Sequence, residues 1–144
     1  MSPAEVEALL GRQGIARLGL YDAQRQRPYV VPVSYYYQDG AAYLHSAPGL
    51  KLDLLHEQPA HVCFEVDEIV DEGEWQSAVG WGRFEEIADP EERVAVLRAF
   101  GDRLLRGALR EHQLAGRGGM LGAGETVYRL ALEESTGRAH SLRE

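Results

Sequence analysis

Gln38, Asp39 and Gly40 stand between the runs YVVPVSYYY and AAYLHS. An Asp-Gly pair between β-branched and aromatic runs is a strong short-range hairpin signal, because a two-residue turn that follows the twist of its strands needs positive φ at both central positions. It predicts that AAYLHS runs back antiparallel along YVVPVSYYY. Pro32 interrupts the first run, and a proline cannot donate to a sheet ladder, so this strand is expected at an edge or with a bulge there.

Further strands follow from the same composition. IARLGLY, HVCFEVDE, WQSAVGWGRFEEI, TVYRLALEE and GRAHSL are all rich in strand-forming residues. In HVCFEVDE, Val62, Phe64 and Val66 share one face and His61, Cys63 and Glu65 the other, and both faces read as partly covered. Gly80 and Gly82 around Trp81 mark a bend or a close approach to the backbone. Ser135-Thr136-Gly137 reads as the turn of a last hairpin. Three helices lie between the strands. SPAEVEALLGRQ opens with Ser2 as N-cap, Pro3 in the first turn and Glu5 closing a capping box, and GLKLDLLHEQ ends at Pro59. DPEERVAVLRAFGDRLLRG is capped by Asp89, with Val94, Leu97, Phe100, Leu104 and Leu105 as its core-facing stripe. About six to seven strands joined mostly by short turns, with helices that do not alternate with them, define a mainly β (α+β) class. The expected architecture is an antiparallel barrel with peripheral helices, and a parallel doubly wound sheet does not fit. One domain over 1–144 is expected, since a chain of this length buries roughly 70% of its unfolded surface and shows no repeat or linker.

Fifteen Lys and Arg against 23 Asp and Glu leave a net charge of −8, which repels phosphate backbones and anionic lipid, so neither nucleic acid nor membrane is an expected partner. No apolar run approaches the roughly 18 residues that span a bilayer, and the opening residues lack signal-peptide order, so the expectation is cytoplasmic. Cys63 is the single cysteine and reads as a buried strand side chain. His56, His61 and Cys63 straddle a helix end and a strand without a second cysteine or a carboxylate at a diagnostic spacing, so no metal site is expected. The glycine-rich stretch GRGGMLGAG, 116–124, matches neither a dinucleotide fingerprint nor a P-loop. It reads as a flexible connection, with a lid over a site as the functional alternative. No G-x-S-x-G elbow is present, and Ser46 adjoins His45 on a strand, where neighbouring side chains face opposite ways, so acyl transfer is not supported.

The remaining constellation is HSAPGLK, residues 45–51. Ser46 offers a hydroxyl at a strand end, Gly49 admits close approach to the backbone, and Lys51 sits in the first turn of a helix whose free N–H groups favour negative charge. A phosphate cradle and a plain strand-to-helix junction with a solvated Lys51 both fit that spacing.

The succession VVPVSYYYQDGAAYLHSAPGLKLDLLHEQPAHVCFEVD, then WQSAVGWGRFEEIADPEERVAVL, then YRLALEESTGR, resembles the pyridoxamine 5′-phosphate oxidase-like superfamily. Within it the chain is most similar to the small flavin-nucleotide-binding branch that includes the nitroimidazole-resistance proteins, from about Ile15 to Arg138. The resemblance implies a split barrel that binds flavin mononucleotide, FMN, in a groove between the subunits of a homodimer. It implies that Pro32, Val33 and Ser34 lie along the flavin ring and that His45, Ser46 and Lys51 hold the phosphate. Trp75, Gln76 and Ser77 would reach the cofactor from the neighbouring strand or the other subunit. Relatives often carry Arg or His where this chain has Leu50, so one phosphate contact is absent unless Arg83 or a partner residue supplies it. The implied activity is an FMN-dependent oxidoreductase acting on a small molecule, nitroaromatics included, with His45 as the candidate for substrate contact or proton delivery. Alternatives are a flavin or haem binding module without turnover, and a deazaflavin-dependent reductase, which the acidic charge disfavours. Pyridoxamine phosphate oxidation is not favoured, because Arg138, His140 and Arg143 are the nearest approach to a second phosphate site. Tyr35, Tyr36, Tyr37, Trp75 and Trp81 crowd strands that a small barrel would struggle to cover, a physical motive for the homodimer.

Overall fold

The computed structural model describes residues 1–106 and 124–142. Helix α1 (Pro3–Arg12) starts with the expected capping box: the Glu5 N–H donates to Ser2 Oγ at 3.2 Å and the Ser2 N–H to Glu5 Oε2 at 2.5 Å. Strands β1 (Ile15–Asp22), β2 (Arg27–Ser34), β3 (Tyr36–Gln38) and β4 (Ala41–Ser46) follow. Then come helix α2 (Leu50–Glu57), strands β5 (Val62–Asp71) and β6 (Glu74–Glu86), helix α3 (Pro90–Arg106) and strand β7 (Thr126–Ser141). The Asp-Gly turn forms as its residues dictate, with φ of 51° at Asp39 and 78° at Gly40 and Gln38 paired to Ala41.

Among the described residues all seven strands join one antiparallel sheet in the order β2-β1-β5-β6-β7-β4-β3. Strands β2 and β3 are separated in sequence by Tyr35 alone, yet they occupy opposite edges. Strands stack about 4.8 Å apart, so a one-residue link cannot bridge a flat seven-stranded sheet. The sheet must curl until its edges approach. The β3–β4 ladder stops at Tyr36 and Tyr43, and the Tyr35 N–H turns to the Gly14 carbonyl at 3.1 Å. The result is a barrel split between β2 and β4.

This geometry corrects the predicted hairpin. Only Tyr36–Gln38 pairs with β4, whereas β2 pairs with β1 along its full length, Ile15 to Ser34 through Asp22 to Arg27. Tyr35 causes the change of partner: its ring is buried edge-on against Phe64 at 4.9 Å and its hydroxyl donates to the Leu10 carbonyl at 2.7 Å, which draws the chain inward. Pro32 does lie on an edge strand. The predicted hairpin at Ser135-Thr136-Gly137 does not form; β7 runs straight through and pairs with β6 from Tyr128 to Ser141. Gly137 serves close packing instead, because a Cβ there would meet Val6 Cγ2 at 2.8 Å and Met1 Sδ at 2.9 Å. In α3, Val96 and Phe100 are buried but Val94 is 49% exposed. Glu92 and Arg93 bond to Arg129 and the Glu125 carbonyl, which turns the helix so that 92, 93, 96 and 100 face the sheet and Val94 faces away. The side chains of Leu104 and Leu105 and the stretch 116–123 lie outside the described residues.

The barrel interior is filled by Leu18, Leu44, Phe64, Val66, Tyr128 and Leu130, closed by Leu9 and Leu10 of α1 and by Leu52, Leu54 and Leu55 of α2. A second, smaller core of Tyr36, Ile87, Val96, Phe100 and Val127 lies beneath α3. Among the described residues no helix is long and apolar enough to cross a membrane.

Candidate functional site

The junction between β4 and α2 gathers charge in a small space. His45 is the penultimate residue of β4 and pairs with Val127 on β7. Its Nδ1 contacts Glu125 Oε2, and its ring meets Phe100 of α3 edge-on at 4.8 Å. Lys51 lies in the first turn of α2, half-buried. Burial holds its ammonium below the ordinary 10.5, and the nearby Glu125 carboxylate pulls the other way. Arg93 NH2 donates to the Glu125 carbonyl at 2.8 Å. The start of α2 is uncapped, since its N-cap is Gly49 and no side-chain cap bond closes it. A Cβ added to Gly49 would meet nothing within 4 Å, so the backbone there is approachable. Cationic side chains, uncapped helical N–H groups and open space are what a phosphate ester needs. The donor set therefore fits a phosphate ester.

Not every expected residue belongs to this cluster. Ser46 follows His45 on the strand and faces inward, 4% exposed, with its hydroxyl 2.9 Å from the Tyr128 hydroxyl. Alternation of side chains along β4 thus sets Ser46 and His45 on opposite faces. The buried Tyr128 phenol is pushed up to about 12 by burial, so it stays neutral and holds Ser46 in place. Pro32 and Ser34 are exposed on the outer face of β2, while Val33 is buried. They sit just before the split, where an extension of the β3–β4 register would bring Ser34 opposite His45. Trp75, Gln76 and Ser77 lie elsewhere. Trp75 pairs with His140 near the end of β7 and His45 with Val127 near its start, about 13 residues or on the order of 40 Å along the strand. Along β7, Trp75, Gln76 and Ser77 are therefore well removed from the junction. Here Gln76 Oε1 accepts from Arg12 NH2 at 3.2 Å and Ser77 donates to Glu65 at 3.1 Å.

Arg83 pairs loosely with Glu133 at 3.8 Å on the surface instead of joining the junction. Sequence reasoning missed Glu125, Arg93, Phe100 and Tyr128. The first three have no motif signal, because they come from α3 and the residue before β7 and meet only through folding. For Tyr128, strand alternation in TVYRLALEE gives an inward or outward choice but not its partner. Among the described residues no group of three His, Cys, Asp or Glu could hold a metal ion. His56 instead bonds the Leu52 carbonyl at 2.8 Å and packs on Phe84.

The chain is thus a small split barrel with an anion-ready strand-to-helix junction. Residues 2–139 match the model of the pyridoxamine 5′-phosphate oxidase family, and the chain belongs to that family. An uncharacterized protein of Rhizobium meliloti is 30% identical over 87 residues, which cover 60% of this chain and 56% of that protein. Among solved structures, an FAD-binding protein from Mesorhizobium loti is 26% identical with a TM-score of 0.76, covering 98% of this chain and 96% of its own. A candidate 5-nitroimidazole antibiotic resistance protein from Bacteroides thetaiotaomicron is 22% identical with a TM-score of 0.70, over 96% and 84% of the two chains. The FAD-binding protein of Mycobacterium smegmatis, 18% identical over 99% and 97% of the chains with a TM-score of 0.69, shares the fold.

Proposed function

We propose that this protein binds FMN at the β4–α2 junction and uses it as an oxidoreductase on a small molecule, with two copies of the chain forming the working unit. The observation that carries this reading is the desolvated Lys51 ammonium at an uncapped helix start, near the Glu125 carboxylate that His45 contacts. An ammonium held there at a cost is relieved by a bound anion. His45, Lys51 and the first N–H groups of α2 would hold the phosphate. The open backbone edge of Pro32, Val33 and Ser34 would meet the polar rim of the flavin ring. When bound, the cofactor supplies the electron-transfer chemistry, and the chain supplies binding, orientation and exclusion of water.

The separation of Trp75, Gln76 and Ser77 from the junction supports a second subunit. On this reading those residues reach a shared groove from another copy. An outer sheet face suited to association is present: Val30, Gly19, Cys63 and Trp81 form one row across β2, β1, β5 and β6, with Val30 67% and Trp81 43% exposed. Tyr35 and Tyr36 do not contribute, because the chain buries both in its own cores.

FAD is a second reading of the cofactor, favoured by the name of the Mesorhizobium loti protein, whose chain matches this one nearly end to end. An absorption spectrum of the purified protein, chromatography of any released flavin and an FMN titration by emission quenching test both. Yellow protein and saturable quenching are expected. Colourless protein that never quenches added FMN or FAD overturns the flavin reading. Oxidation of NADH or NADPH by the loaded protein, with a nitroaromatic acceptor present or absent, separates an enzyme from a storage module.

A further inference from the structure

Glu125 lies beside both basic side chains of the β4–α2 junction. Its Oε2 contacts His45 Nδ1 and its charge bears on the Lys51 ammonium. These are the two groups on which a phosphate ester would depend, so a carboxylate already stands where a second anion has to come. A carboxylate and a phosphate dianion sharing one cradle repel each other strongly in a partly buried site. We infer that Glu125 is a built-in competing anion, which occupies His45 and bears on the Lys51 charge in the ligand-free protein and must leave His45 when a cofactor phosphate enters. This inference rests on the flavin reading above.

The surroundings suit an exchange made by the side chain alone. Arg93 pins the Glu125 carbonyl at 2.8 Å, and the next residue, Thr126, opens β7 by pairing with Ser46. The backbone is therefore held at Glu125 itself and at the residue that follows it. The Glu125 side chain is 23% exposed, so rotation about its own bonds can carry the carboxylate toward water without crossing packed core. Phe100, edge-on to the imidazole, keeps His45 in position once the carboxylate has left. Affinity for a phosphate-bearing flavin is consequently lowered by the exchange, whereas a flavin without phosphate is indifferent to it. Glu125 thereby sets how much of the total affinity the phosphate contributes.

Titration of Glu125→Gln and the unsubstituted protein with FMN and with riboflavin, followed by emission quenching and accompanied by thermal melts, tests this. Glutamine preserves the shape and an acceptor for His45 while removing the charge. FMN is expected to bind about tenfold or more tighter to E125Q, the order of one charge-assisted hydrogen bond, with riboflavin affinity unchanged. Equal or weaker FMN binding to E125Q, or equal tightening of FMN and riboflavin, overturns the competing-anion role and leaves the flavin reading standing. Failure of both proteins to bind FMN overturns the two together. If E125Q does not fold, Glu125→Asp takes its place: its carboxylate is one methylene shorter, and FMN binding no tighter than that of the unsubstituted protein overturns the inference.

Discussion

Lys51 shows how a single side chain can serve binding at the expense of stability. Its ammonium is held below the ordinary 10.5 by burial, against the opposing pull of Glu125. The unfolded chain therefore binds this proton more tightly than the folded one. Below the depressed folded value the charge destabilises the fold, and stability rises as pH climbs through that value toward 10.5. Lys51→Met is expected to stabilise the ligand-free protein at neutral pH, by no more than about 1 kcal/mol after solvent screening. The advantage shrinks as pH approaches the lysine range, and FMN affinity falls about tenfold or more. Melts across pH together with an FMN titration check both parts. A variant that melts lower in the absence of ligand would show that the ammonium is stabilised by its surroundings.

Strands β6 and β7 owe their shape to one position. Their register jumps between Trp81 and Gly82, which face Glu134 and Leu132, so Glu133 is an extra residue on β7. A Cβ at Gly82 would lie 2.2 Å from the Ala131 carbonyl oxygen and 2.9 Å from its carbon, backbone atoms that cannot yield as a side-chain tip can. The bulge bends two long strands so that they serve both the barrel and the far end that carries Trp75. Gly82→Ala is expected to cost about 1–3 kcal/mol by overpacking, read from denaturant unfolding. Gly49→Ala, where the added methyl meets open space and φ is extended at 164°, leaves the unfolding midpoint nearly unchanged. The contrast separates a glycine required by packing from one that only leaves room.

For the molecule as a whole, the decisive question is how many copies complete the groove. The proposed phosphate cradle and the Trp75 strand lie near opposite ends of β7, so on the two-copy proposal a lone chain would hold two partial sites. Sedimentation at micromolar concentration is expected to give twice the 16.0 kDa chain mass. Trp81→Glu places a charge on the exposed outer face and is expected to weaken association and FMN binding together. It also speeds modification of Cys63, which pairs directly with Trp81 across β5 and β6. A species of 16.0 kDa in the unsubstituted protein would remove the shared-groove reading.

Local chemistry was enough to specify the capping box at Ser2, the turn at Asp39 and Gly40, the edge position of Pro32, the close approach at Gly82 and the uncapped helix after Gly49. Each depends on atoms within a few residues, or on what a proline or glycine cannot do anywhere. The partner of β2, the unbroken run of β7 and the rotation of α3 were decided by tertiary structure. Tyr35 chooses between two partners by burying its ring, Gly137 faces a helix more than 120 residues away, and Val94 loses its place to Val96 through bonds made by Glu92 and Arg93. The candidate site divides the same way: His45 and Lys51 are six residues apart in sequence, but the carboxylate that meets His45 arrives from the residue before the last strand. Sequence patterns carry the geometry of bonds along the chain, whereas a contact across 80 residues such as His45 with Glu125 exists only after the sheet has closed.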